Sequence, residues 1–181
     1  MSTSTPNPSL TPIAKTCDTI EKTLGKSAAF RKVDERLYVV HQGSTYVTIT
    51  VLDAGKASHE KPIVRVYARV VTGVSPEPSL FRQLMTLNAR MRFGAFAWVP
   101  DGSVVLFVHS IMGGDHMDPK ELLASVSDVA LVADGYDDMI VARYGGQRMQ
   151  DLVEDVAMQH LLGNDEEIAT AFDDEKDPGH N

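Results

Sequence analysis

The fold is decided by Leu80–Val108, which reads LFRQLMTLNARMRFGAFAWVPDGSVVLFV. Its first part has large apolar residues three or four positions apart, which predicts one amphipathic helix. These residues are Leu80, Leu84, Leu87 and Met91. The second part predicts two strands, Ala95–Val99 and Val104–His109, joined by a Pro-Asp-Gly-Ser hairpin turn. Short turns between neighbouring strands favour an α+β fold over a regularly alternating α/β fold.

The strands upstream of this segment alternate between two kinds of side chain. A short apolar strand is predicted at Leu37–Val40, and longer ones at Thr45–Leu52 and Ile63–Val71. In the longer two, aliphatic residues occupy every second position. Thr, Tyr and Arg residues occupy the positions between them. This pattern predicts an antiparallel sheet that is covered on one face only.

Two helix starts frame the sheet. Thr11 followed by Pro12 predicts a first helix that ends near Gly25, and Asp118 followed by Pro119 predicts a long helix that ends before Gly145. The predicted order is α-βββ-α-ββ-α within residues 11–144, with an additional helix in 145–163. Residues 1–10 are rich in Ser, Thr and Pro, and residues 164–181 are acidic and poor in large apolar side chains, so both are predicted to be disordered.

Charge and composition limit the classes of function. The net charge of −8 argues against general nucleic-acid binding, which requires a basic surface. The charge is uneven: residues 1–114 hold 13 basic and 8 acidic side chains, whereas residues 115–181 hold 4 and 17. The acidic segment is either a solvated tail or a segment that folds back on the basic half or on a partner.

The cellular location is predicted from the single cysteine and from the search for leader and membrane-spanning segments. Cys17 is the single cysteine and falls on the apolar stripe of the first helix, which favours a small core residue over a reactive thiol. No secretory leader or membrane-spanning run is recognisable, so we expect a cytoplasmic protein with no membrane contact.

The sequence has no strong catalytic motif, and we expect a non-enzymatic protein without a cofactor. Two weaker alternatives stay open. Asp115, His116 and Asp118 could hold a metal in a small enzyme, although Asp118 also fits a helix cap. Arg65, Tyr67 and Arg69 form a basic and aromatic row on the outer sheet face, which could bind RNA or an acidic peptide, or could be an ordinary solvated surface.

The decisive segment resembles the YbjN family. The features in common are a Leu-Asn pair at a helix end, a strand of small residues with an aromatic, and an Asp-Gly hairpin. In this chain they are Leu87 with Asn88, Gly94 with Phe96, and Asp101 with Gly102. The resemblance implies a fold like that of type III secretion chaperones, which are small, acidic, cytosolic and mostly homodimeric. It also implies a polypeptide partner and a role in sensory transduction, stress or secretion regulation.

A partner or a second subunit is expected to contact the central helix, while an extended peptide could add to an open sheet edge. The candidate interface comprises two sides of that helix: Leu80, Phe81, Leu84, Met85, Leu87, Asn88 and Met91. Plain core packing against the sheet is an equally good account of its leucines.

Overall fold

The structure, a computed structural model, describes residues 11–53 and 61–156. The helices are α1 (Pro12–Leu24), α2 (Pro78–Asn88) and α3 (Pro119–Tyr144), and residues 149–156 are also helical. The strands are β1 (Phe30–Asp34), β2 (Leu37–Gln42), β3 (Thr45–Leu52), β4 (Ile63–Thr72), β5 (Ala95–Val99), β6 (Val104–Met112) and β7 (Gln147–Arg148). The two tails predicted to be disordered and the end of the predicted additional helix lie outside the described residues. None of the described helices is both long and apolar enough to cross a membrane.

All strand pairs are antiparallel, and the sheet order is β1-β2-β3-β4-β6-β5. The short β7 pairs with the end of β4, where Val71 lies opposite Arg148. The helices pack on one face of this sheet, so the predicted α+β class with a one-sided antiparallel sheet is confirmed.

The predicted strand count was wrong by two. Strand β1 reads FRKVD and, apart from the half-buried Phe30, its side chains are exposed. An exposed edge strand with charged residues shows no apolar alternation, so the sequence pattern gave no sign of it. Strand β7 is only two residues long, too short for any periodic signal.

The face of the sheet under the helices forms the main core, hereafter the covered face. The predicted alternation in β3 and β4 is confirmed, since the aliphatic positions of both strands are buried. The central residues of the covered face are Tyr38, Val47, Ile49, Val51, Val64, Val66, Ala68, Phe96, Val105, Phe107 and Ile111. Buried residues of α3 pack against them, namely Leu122, Val126, Val129, Ala133 and Ile140.

Both predicted helix caps are present. The Thr11 hydroxyl accepts a hydrogen bond from the Ala14 amide (3.2 Å), and the Asp118 carboxylate accepts one from the Lys120 amide (2.8 Å). These bonds satisfy amides that have no partner within the helix. Helix α3 continues through Gly135, where the sequence allowed a kink, and ends at Tyr144 as predicted.

The hairpin that follows α2 begins at a glycine that no other residue could replace without rearrangement. Gly94 has φ +62°, and a Cβ placed there would lie 2.8 Å from the Phe107 ring and 2.8 Å from the Val108 carbonyl oxygen. The predicted turn forms as a single 3-10 turn at Asp101–Ser103 between β5 and β6. The chain from α2 to β6 therefore has the order that the sequence predicted.

Candidate functional site

The face of the sheet opposite the helices forms a shallow groove of about 750 Å³. We call this surface the open face. Its basic and aromatic residues come from β4: Arg65, Tyr67 and Arg69. Its small and apolar residues come from the hairpin: Ala95, Ala97, Val99, Leu106 and Val108. Successive side chains of a strand point to opposite faces of the sheet, so the residues next to these in sequence point into the covered face.

The position predicted for Arg65, Tyr67 and Arg69 is confirmed, because Thr50 lies opposite Arg65 and Thr48 opposite Tyr67 in the sheet. Sequence reasoning missed the contribution of the hairpin. The signal was available in the alternation of Phe96 and Trp98 with two alanines, which leaves the small residues on the outer side. Small residues keep that part of the open face low, and this creates the groove.

The exposed charges of the open face are mainly positive. Within the described residues, no carboxylate lies within salt-bridge distance of Arg65 or Arg69, both of which are exposed. Asp101 lies at the rim of the groove, beside the hairpin turn. Elsewhere several basic side chains are paired, such as Arg148, whose guanidinium lies 2.9 Å from both Asp138 and Asp151. An apolar floor with two available guanidinium groups suits an elongated ligand with apolar and acidic groups.

The predicted partner residues of α2 are divided between the core and the surface. Leu80 and Leu84 are buried in the core, and Leu87 and Met91 are partly buried against it. In this structure Leu80 and Leu84 are not available to a partner, because the sheet already covers them. What α2 leaves outside is a small apolar surface, hereafter the α2 patch, formed by Pro78, Phe81, Met85 and Ala89. Met85 is 72% exposed, while Phe81 packs edge-on against Trp98 with ring centroids 5.4 Å apart.

Asn88 has a structural role that differs from the predicted interface role. Its side-chain amide donates to the Phe96 carbonyl oxygen (3.0 Å), and its carbonyl oxygen accepts from the Phe96 amide (2.7 Å). The side chain thus imitates a neighbouring strand at the free edge of β5. It occupies backbone groups that an added peptide strand would need, so this part of the edge is closed.

The residues of the metal hypothesis have other partners. Asp115 forms an ion pair with Lys15 (2.7 Å), which lowers the pKa of Asp115, and Asp118 caps α3. Among the residues described, no three His, Cys, Asp or Glu side chains are grouped closely enough to hold a metal ion. The geometry of residues 11–53 and 61–156 therefore gives this hypothesis no support.

One cluster of ionisable groups joins α1 to the first two strands. The Lys32 ammonium lies 2.7 Å from Glu21, and this hydrogen bond lowers the pKa of Glu21 and raises that of Lys32. The Tyr38 hydroxyl lies 3.0 Å from the same carboxylate, and burial raises the pKa of Tyr38. Cys17, half-buried beside them, has its sulfur 3.7 Å from the Glu35 carbonyl oxygen. The cluster fixes α1 on the edge of the sheet.

Fold and open face together define a class of protein: a small α+β domain with one antiparallel sheet, helices on one face and a shallow groove on the other. The comparisons with known proteins agree with this class. The family model for type III secretion system (YopN, CesT) and YbjN peptide-binding chaperones matches residues 14–152. The chain belongs to this family of peptide-binding chaperones, and the predicted resemblance is confirmed.

Solved structures show the same fold at low sequence identity. One chain in the crystal structure of the ExsC–ExsE complex matches with a TM-score of 0.57 and 16% identity. The match covers 72% of this chain and 97% of the other. Among curated proteins none matches this chain.

Proposed function

We propose that this protein is a non-enzymatic, chaperone-like protein that holds an extended segment of a partner polypeptide on the open face. The single observation that carries the proposal is the groove itself. It combines an apolar floor with Arg65 and Arg69, and the described residues leave it uncovered. Membership of a peptide-binding chaperone family supports it. The matching chain of the ExsC–ExsE complex supports it only through the shared fold.

The chemistry of the groove favours one class of ligand. Leu106 and Val108 can bury the apolar side chains of a peptide, while the two arginines can pair with its carboxylates. Strand addition at β5 is disfavoured, because Asn88 occupies the Phe96 backbone groups. The partner is therefore expected to lie across the open face rather than along the edge of β5.

Site-specific crosslinking tests the proposal. A photoreactive phenylalanine analogue in place of Tyr67 should capture polypeptides in a native lysate, and mass spectrometry should identify a recurring sequence. The matched control carries the analogue in place of Lys120, which is exposed at the start of α3. Capture at both positions alike, or at neither, would count against an open-face site. Capture of RNA from position 67 would favour the nucleic-acid alternative instead.

We also infer that the α2 patch is the contact for a second copy of this chain. Its support is the exposure of Met85 beside other apolar groups, an arrangement that a symmetric contact could bury. Light scattering at tens of micromolar tests this inference. A dimer that Met85→Arg converts to monomer would support it, with Leu131→Arg on α3 as the control, since Leu131 is also exposed at 64%. A monomeric wild-type chain would exclude it.

The regulatory setting stays a prediction. A role in sensory transduction, stress or secretion would follow from the identity of the captured partner, as would the cytoplasmic location. The metal-dependent alternative has its own test: metal analysis of the purified protein and of His116→Ala.

A further inference from the structure

The strongest charge asymmetry in the molecule lies between the open face and the end of the chain. Residues 165–181 contain 7 acidic side chains and 1 basic one. The open face presents Arg65 and Arg69, for which the described part of the chain offers no carboxylate partner. A polypeptide groove and a complementary segment therefore belong to the same chain.

The C-terminal segment leaves the domain beside the end of β4, the strand that carries both arginines. Strand β7 pairs with β4 at Val71 and Thr72, only two residues beyond Arg69. The helical residues 149–156 follow, and eight more residues separate them from Asp165. Eight extended residues span up to about 26 Å. Residues 149–156 cover about 12 Å as a helix, and the distance along β4 from Thr72 to Arg65 is about 23 Å. The acidic cluster that begins at Asp173 follows 17 residues after Val156, up to about 56 Å of extended chain. This cluster can therefore reach both arginines whichever way the helix points.

The sequence of the segment matches the groove in apolar character as well as charge. Residues 165–177 read DEEIATAFDDEKD, which is an apolar centre between two acidic clusters. In an extended chain Ile168 and Phe172 lie on the same side, about 13 Å apart. The carboxylates on that same side, Glu166 and Asp174, are about 26 Å apart in an extended chain, twice the separation of about 13 Å between Arg65 and Arg69 along β4. The match therefore lies in charge and apolar character: an acidic cluster can pair with the arginines while the apolar centre lies against the hairpin.

The apolar part of the groove has room for the two large side chains of this centre. Ala95 and Ala97 leave space beside Leu106, where a phenylalanine and an isoleucine can be buried. The mixed acidic and apolar character that the open face favours is therefore present within the protein's own sequence.

We propose that residues 165–177 of this chain occupy the open face intramolecularly and compete with the partner polypeptide. This inference rests on the proposed function, because it assigns an internal competitor to the same groove. An attached segment has an effective concentration in the millimolar range, so even weak contacts can keep it bound. A partner would then bind only to the fraction of molecules in which the groove is free.

Paramagnetic relaxation in the full-length chain tests where the segment lies. A nitroxide is attached to Thr170→Cys in a Cys17→Ser background, and amide signals are recorded by NMR. We expect broadening of signals in β4, β5 and β6, which Arg65→Glu with Arg69→Glu removes. The control pair, Lys26→Glu with Lys120→Glu, makes the same charge change at exposed positions away from the groove and should leave the broadening unchanged.

The same experiment separates the alternative occupants. Broadening that persists in the Arg65→Glu, Arg69→Glu chain, or that is absent from β4–β6 in the parent, would overturn the proposal. A mixture of nitroxide-labelled unenriched chain with unlabelled ¹⁵N-enriched chain detects contact between copies. Broadening of equal strength in that mixture would assign the segment to a second copy and would also overturn the intramolecular proposal.

A binding measurement distinguishes failure of this inference from failure of the proposed function. The probe is a fluorescent synthetic peptide of residues 163–179, added to the full chain and to a full-chain variant carrying Phe172→Ser, Asp173→Asn, Asp174→Asn and Glu175→Gln. The variant should bind the probe about tenfold more tightly, because its groove is free more often. Equal, measurable affinities would overturn intramolecular competition and leave the polypeptide site standing. No binding to either chain would overturn this inference alone, because the proposed function is tested separately by capture of a partner at position 67.

Discussion

The covered face and the open face are built by the same strands, but the first contributes to the stability of the fold and the second presents groups to a ligand. On β4, Val64, Val66 and Ala68 are completely buried, whereas Arg65 and Arg69, which alternate with them along the strand, are exposed. The first set removes apolar surface from water and stabilises the fold. The second set contributes little to that burial, so its composition is free to suit a ligand. The contrast suggests that stability and recognition can be changed separately in this protein.

The largest expected effect tests the contribution of the covered face. Phe107→Ala should lower the free energy of unfolding by about 3–5 kcal/mol, because the substitution leaves a cavity in the core. Phe107 is fully buried and packs edge-on against Phe93 and Phe96, with ring centroids 5.8 and 5.0 Å apart. Chemical denaturation followed by circular dichroism measures the change.

The neighbouring residue on the open face is the matched control. Leu106→Ala should cost only about 1 kcal/mol, because Leu106 is already partly exposed to water. Equal losses for the two variants would mean that Leu106 is packed as firmly as the core residue Phe107, and that the two faces do not differ in the way described.

Alternation explains why so much of this contrast could be predicted from the sequence. In β3 and β4 every second residue is aliphatic, and that pattern by itself assigns each side chain to a face. The same reasoning failed for β1, where Arg31 and Lys32 lie on opposite faces but are both exposed. An edge strand can be charged on both sides because nothing has to cover it.

The candidate site was harder to predict because it depends on contacts between distant residues. The row of Arg65, Tyr67 and Arg69 was recognisable from β4 alone. Its combination with Ala95 and Ala97 required the strand order, in which β6 lies between β4 and β5. The burial of Leu80 and Leu84 likewise depends on how α2 rotates against the sheet, which its periodicity cannot determine.

The next largest effect is expected at the edge between the two faces. Asn88→Ala should reduce the free energy of unfolding by about 1–3 kcal/mol, because the Phe96 amide and carbonyl lose their partners. Hydrogen exchange at the Phe96 amide should accelerate more than at other amides of β5. Thr86→Ala, which removes an exposed hydroxyl on the same helix, should cost under about 0.5 kcal/mol.

If Asn88 closes the edge of β5, the variant should also be more prone to self-association. Unchanged exchange at Phe96 would show that water replaces the Asn88 amide without loss. The edge of β5 would then be open to an added strand, and the preference for the open face would lose one of its arguments.

A smaller, pH-dependent effect is expected at the cluster that joins α1 to the sheet. The Lys32 hydrogen bond holds the pKa of Glu21 below its usual value of 4.5 in the folded state. The pair therefore stabilises the fold above that pH, and its contribution is lost as the pH falls through the lowered pKa. Glu21→Gln should remove this part of the acid dependence, by less than the cost of Asn88→Ala, because both side chains are partly exposed.

Thermal unfolding between pH 7 and pH 3 measures this effect. The wild-type chain and Glu21→Gln should differ in midpoint at pH 7 and converge as the pH approaches 3. Asp18→Asn is the control, since Asp18 forms its ion pair with Lys22 on the exposed surface of α1. If the unfolding midpoints of the wild type and of Glu21→Gln change with pH in the same way, then Glu21 does not contribute to the acid dependence of stability.

The smallest effect on stability is expected where the effect on binding is expected to be largest. Replacing Arg65 and Arg69 together by Gln should change the free energy of unfolding by no more than about 0.5 kcal/mol, because both side chains are exposed and exposed ion pairs stabilise a fold only weakly. Within the described residues no carboxylate lies within salt-bridge distance of either arginine, so any ion pairs that the substitution removes are those with the acidic residues 165–177. Denaturation in low and high salt measures the change. A small loss that high salt also produces in the wild-type chain would agree with such pairs. A gain in stability at low salt would mean that the two charges only repel each other, and it would count against these pairs.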